Sequence, residues 1–118
     1  MATQTNAPVL VLDASAAVSL YRLVTALGAM CALDTNRDHV GVSQLAVAAA
    51  GTANLPVRLA CAGSCKVTAS EAIAKGDPLY KAANGQVSKT ATSSVLVGRA
   101  LEAASGAGSI FEALIDAP

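Results

Sequence analysis

Six of the nine glycines in this chain fall into one register. Gly28, Gly41 and Gly51 recur as Gly85, Gly98 and Gly108, each pair 57 positions apart. At the same spacing Leu23 meets Tyr80, Met30 meets Val87, Val40 meets Val97 and Val57 meets Leu114. Glycine is the default residue where the backbone bends through positive φ or where another segment passes close. Three such needs recurring in order predict two copies of one folding unit, about 16–59 and 73–116. Each copy is expected to turn a hairpin at Gly28 or Gly85, run a strand through Gly41 or Gly98, and turn at Gly51 or Gly108 before a last strand. The 118 residues suffice for one domain but not for two ordinary ones. The copies are therefore expected to share a core, packed about a pseudo-twofold axis. The expected organisation is an N-terminal arm and first strand over 1–12, then a single β domain over 13–118.

The glycines, the Ser/Thr content and the short Val/Leu/Ile runs favour strands. Leu55, Val57, Leu59 and Cys61 alternate along one predicted strand, and Val95, Val97, Arg99 and Leu101 along another. Asn84-Gly85 lies between Leu79–Ala82 and Gln86–Lys89. It is a two-residue hairpin signal, because both central positions of a type I′ turn need positive φ. Gly76-Asp77-Pro78 reads as the turn entering that hairpin. Alanine supplies 27 positions and argues for helix, yet the rival helices Leu45–Ala50 and Ala100–Ala104 are too short to stand without strong packing. One helical turn over Ser70–Lys75, capped by Ser70, is compatible with the pattern. The fold class expected is all-β, a small barrel or sandwich.

Hydrophobic residues are 53% of the chain but aromatics only 3%, so much of the core must be methyl groups, which bury little area each. A monomer built this way is expected to gain stability from partners. The formal net charge is zero and charged residues are 14%, against about 25% in an average domain. With no basic patch and almost no stacking aromatics, nucleic-acid binding is not expected. The longest apolar run, Leu45–Ala50, is far short of the ~20 residues of a membrane span. No basic region precedes an apolar stretch, the first positive side chain being Arg22, so no targeting segment is expected. Three cysteines, Cys31, Cys61 and Cys65, do not make a disulfide framework and read as free thiols.

No constellation reads as reactive. Asp34, Asn36 and Asp38 have the spacing that opens a calcium loop. His39 stands where the turn glycine should be, however, and Leu45 where the bidentate Glu should be, leaving a solvated loop. The cysteines lack paired C-x-x-C spacing, and His39 is the only imidazole, so no metal site is expected. Ser105–Ser109 resembles a phosphate cradle only until the missing Lys and the strand-like Ile110–Ile115 are considered. His39, among polar neighbours, reads as a surface residue. Nothing brings two of Asp13, Asp77, Glu102 and Glu112 together. Glu71, Lys75, Asp77 and Lys81 read as a solvated charged patch around one turn, or as a polar contact rim. Neither catalysis nor a cofactor is expected. Met1–Pro8 carries no charged side chain. It reads either as a frayed terminus or as a contact arm using Thr3, Gln4, Thr5 and Asn6, with Val9, Leu10 and Val11 in a strand able to join a neighbour's sheet edge.

Taken together, Ala72–Tyr80 (AIAKGDPLY), Asn84–Val87, Leu96–Ala104 and the closing Ile110–Ile115 resemble the small capsid decoration proteins of tailed bacteriophages, also called cement or head-stabilising proteins. Arg22-Leu23-Val24, Val40-Gly41-Val42 and Pro56–Leu59 form a looser copy. The resemblance spans about Ala16–Ile115 and implies a tulip- or clip-type β fold without catalysis. It implies the phage major capsid protein as partner, a site on the capsid exterior of the virion, synthesis in the host cytoplasm, and a homo-oligomer, a trimer being favoured. Lys75–Leu79 also resembles the clip-like hairpin of some enzymes and sugar-binding domains. A β-clip ligand-binding domain or a fibre-like structural subunit are the alternatives.

Overall fold

The computed structural model describes residues 9–49, 54–60, 63–91 and 94–116. Its strands are β1 (Val9–Asp13), β2 (Leu23–Thr25), β3 (His39–Ser43), β4 (Asn54–Leu59), β5 (Ser64–Thr68), β6 (Pro78–Lys81), β7 (Val87–Ser88), β8 (Leu96–Ala100) and β9 (Ile110–Ile115). Among the described residues the only helical element is a three-residue 3-10 turn, Ala83–Gly85. Two antiparallel sheets form, ordered β1-β4-β3-β2 and β5-β9-β8-β6-β7. The fold is therefore nearly all β and consistent with a small sandwich.

Each sheet has the Greek-key order, with a strand returning by a long connection to lie beside the last strand of its half. The two halves repeat in detail. Val9 pairs with Arg58 as Ser64 pairs with Leu114, and Gly41 with Leu59 as Gly98 with Ile115. A bulge between Val24 and Thr25 recurs between Leu79 and Tyr80. The bridge Val18–Val47 recurs as Ile73–Ala104. Equivalent strands β3 and β8 are 57 positions apart, whereas β1 and β5 are 55 apart and β4 and β9 are 56. The single spacing read from the glycines thus holds in the middle of the unit and drifts at its ends.

The same equivalence organises the core. In the first half Ala14, Val18, Val24, Leu55 and Val57 form one buried cluster. Their counterparts Ala69, Ile73, Leu79, Phe111 and Ala113 sit in the larger cluster of the second half. Leu23, Cys31 and Val42 of the first half join that larger cluster, so one apolar core crosses the seam.

The halves do not pack about a twofold axis. Val42 is buried, while its counterpart Arg99 is exposed. A Cβ at Gly85 would meet Leu23 O and Arg22 Cβ across the seam, whereas one at Gly28 would meet Asp13 of its own half. One face of the first half docks on a different face of the second.

Other expectations are corrected locally. Ser70–Lys75 makes no helical turn, because Ile73 is drawn into the bridge with Ala104. Val95 lies outside β8, and Val97 and Gly98 are buried in succession while Arg99 is exposed. Strict alternation fails there because β8 carries the bulge: Leu79 pairs with Gly98 and Tyr80 with Leu96, which leaves Val97 unopposed on β6.

Candidate functional site

The seam between the halves gathers most of the polar chemistry, and its centre is Lys81 on β6. Its side chain has 0% exposure. Nζ donates to Asp34 Oδ1 at 2.6 Å, to the Asn36 carbonyl at 2.6 Å and to Asp38 Oδ1 at 2.9 Å. The loop before β3 therefore wraps an ammonium where its spacing suggested a metal. Three acceptors match the three protons of the group. Burial alone would lower the Lys81 pKa, but the bonds and charges of Asp34 and Asp38 outweigh it and hold the pKa above its ordinary value. Asp34 is held below the ordinary carboxylate range, first by the Lys81 bond and then by the backbone N–H of Asn36. Lys81 therefore leaves the expected solvated patch and is a buried tie between halves. The solvated-loop reading of Asp34–Asp38 is corrected with it. The rest of the patch is local: Glu71 accepts from Thr90 Oγ1, and Asp77 accepts from the N–H of Ala74.

His39 is a second correction. It is fully buried at the start of β3, with Nε2 2.8 Å from the Asp116 carbonyl. That geometry calls for the tautomer with its proton on Nε2, and Nδ1 is buried without a partner. Burial lowers its pKa. Arg37 donates to Leu96 O, Arg22 to Asn84 O, and Thr68 Oγ1 to Tyr21 O at 3.0 Å. Each of these bonds crosses the seam.

Val9, Leu10 and Val11 lie on β1, which pairs with β4 of its own chain. Among the described residues β1 is an edge strand, and none of them pairs with the other side of its backbone. Val9 and Val11 are exposed and Leu10 half-buried. Thr3, Gln4, Thr5, Asn6, Gly51 and Cys61 lie outside the described residues. Gly28, Gly85 and Gly108 have positive φ, while Gly41 and Gly98 sit within strands against carbonyls of Arg58 and Leu114.

Two adjoining clefts flank Leu33. One of about 310 Å³ is lined by uncharged residues, among them Ala16, Met30 and Ala83. The other, about 470 Å³, is lined by Ser70, Glu71, Gln86, Ser88 and Thr90 over alanines. Gln86 Nε2 and Ser70 Oγ are spent on backbone carbonyls, so these polar groups do not converge on a ligand. Burial pushes the thiols of Cys31 and Cys65 up to about 12 and about 11, the opposite of an activated nucleophile. Among the described residues no three His, Cys, Asp or Glu group together to hold a metal ion. Ser105–Ser109 closes on itself through a 2.9 Å hydroxyl–hydroxyl bond and leads into β9. No described helix is long and apolar enough to cross a membrane.

Comparison with known proteins follows the same line. A family model described as phage cement protein matches residues 3–115. Among solved structures, the crystal structure of the head fiber gp8.5 N base in bacteriophage phi29 matches with a TM-score of 0.72. The two share 23% identity over 92% of each chain, a likeness of fold. A search of curated proteins finds no match.

Proposed function

Because the chain belongs to the phage cement protein family, and so to the capsid-associated structural proteins of phages, we propose that it binds the outer surface of an assembled head and stabilises it by bridging subunits of the major capsid protein. The family match over nearly the whole chain carries this reading. The seam supports it, since Lys81, Asp34, Asp38, Arg37 and Thr68 spend their polar groups on holding two halves together. The reading needs no cofactor, no catalysis and no nucleic acid.

The mechanism is thermodynamic. A protein that binds only the assembled shell stabilises that shell by mass action. Contacts to several subunits, made by a homo-oligomer, add avidity without a strong individual contact. Thr3, Gln4, Thr5 and Asn6 would reach a neighbouring capsid subunit, and Val9–Val11 would offer the open edge of β1.

Co-sedimentation with empty heads, before and after expansion, tests this. Saturable binding to expanded heads is expected, and the plateau gives the occupancy. A folded protein that binds neither form would overturn the reading.

A further inference from the structure

At one end of the five-stranded sheet the 34–39 loop grips strand ends of the other half. It holds Lys81 at the end of β6, Leu96 O at the start of β8 through Arg37, and Asp116 O just past β9 through His39. The Asp116 N–H in turn bonds the Val97 carbonyl at 2.7 Å, so the end of β9 is clipped between β8 and the loop. The Lys81 and Arg37 grips do not titrate near neutrality. Lys81 is held above its ordinary pKa and Asp34 below, and a guanidinium keeps its proton. His39 is different. It has no exposure, its Nε2 proton is committed to the carbonyl, and its Nδ1 is buried without a partner.

A second proton on this ring has no place in the closed seam. It would sit on Nδ1 as a buried donor without an acceptor, and it would make the ring a buried cation. The charges around the ring do not offset this. Arg37 from its own loop and Lys81 from β6 are positive. Asp38 is negative, but its Oδ1 is already spent on Lys81 at 2.9 Å. Asp116 offers its backbone while its side chain is exposed, and the β2 neighbour is Thr25, which carries no charge. We propose that His39 is an acid-sensitive latch on the seam: taking up a proton at Nδ1 swings the 34–39 loop off the end of the second sheet while both sheets stay paired. The released ring meets water, which solvates its charge and both of its N–H groups. Of the strand pairs, only Thr25 with His39, the last of β2 and β3, lies at the latch. Burial lowers the ring's affinity for a proton in the closed state, and the open state returns it to the ordinary 6.5. Opening therefore gains about tenfold for each pH unit below 6.5, until the closed ring itself titrates. The inference concerns the free chain and does not depend on the head.

Two buried thiols provide the test. Cys31 is buried with its thiol against Asp38 of the loop, whereas Cys65 lies on β5. The purified full chain is labelled with a dipyridyl disulfide from about pH 8 to about pH 5. Each rate is divided by that of glutathione at the same pH, and peptide mapping separates Cys31, Cys65 and Cys61. Cys31 labelling should rise about tenfold per pH unit below 6.5, while Cys65 stays protected. The chain has one histidine, so its imidazole NMR signal titrates alone and should report a pKa below 6.5. His39→Gln keeps an N–H donor for Asp116 O but takes up no proton, and its Cys31 labelling should be flat. The wild-type slope carries the test if that variant misfolds. Flat Cys31 labelling in the wild type, a rise shared equally by Cys65, an ordinary imidazole pKa, or an unchanged slope in folded His39→Gln would overturn the proposal.

Discussion

At Lys81, three acceptors and full burial make one side chain answer for the position of a loop more than forty residues away. Lys81→Ala removes three bonds and opens a cavity where the buried Lys81 stem lay, and should cost about 2–5 kcal/mol in denaturant unfolding. Lys81→Met fills the space, and both carboxylates can turn to water, so its cost should be clearly smaller. The same group sets a pH dependence. The Lys81 pKa is raised, so its contribution is complete below 10.5 and is lost as pH climbs through the folded value. The Asp34 pKa is lowered, so its contribution is complete above 3.8 and is lost as pH falls through the folded value. His39 is also lowered, which adds a loss of stability beginning as pH drops below 6.5. Unfolding free energies across pH should show a plateau with both flanks, and Lys81→Met should reduce the alkaline flank to the part that the buried thiols of Cys31 and Cys65 contribute, while keeping the His39 one. Glycines separate by the same local reasoning. Gly98→Val drives a side chain into the Leu114 carbonyl and should cost about 3 kcal/mol or more. Gly76→Ala meets open space and pays only for its φ of +91°, about 1–2 kcal/mol.

Elements show which parts of the fold local chemistry could announce. Asn84-Gly85 was readable because the requirement is in the residues themselves: both have positive φ, and Gln86 N–H closes the turn on the Ala83 carbonyl. Gly41 and Gly98 were readable as equivalents because each faces a carbonyl of the next strand. Spacing failed where the copies differ in length. Tyr21 has a φ of 55° and corresponds to Gly76, but 55 positions separate them, so the glycine register passed over that pair. Lys81 and His39 were not readable at all, since their burial comes from segments 43–47 and 77 residues distant. For β1 the edge position makes a direct prediction. Deleting Met1–Pro8 should weaken head binding in co-sedimentation and leave the melting temperature nearly unchanged, because β1 keeps its ladder to β4. Unchanged binding would remove the arm from the mechanism.

For the whole molecule the question is whether two Greek-key halves melt as one. The first half closes over five buried apolar residues, the second over most of the larger cluster, and Leu23, Cys31 and Val42 lend the first half's sheet to that cluster. A half this small buries too little surface to be stable alone, so the first half depends on the seam. The seam is held by the shared core, the Lys81 cage and single bonds such as Arg22 to Asn84. With all three in place, unfolding should be one cooperative transition, with calorimetric and van't Hoff enthalpies equal. Removing the cage with Lys81→Ala takes away the charged part of that coupling while the second half keeps its own core. Hydrogen exchange should then report amides of β1–β4 opening at lower free energy than those of β8 and β9. In the wild type the two sets should open together. If exchange in the variant remains uniform across both sheets, the apolar core alone couples the halves, and the cage orders only the loop that forms it.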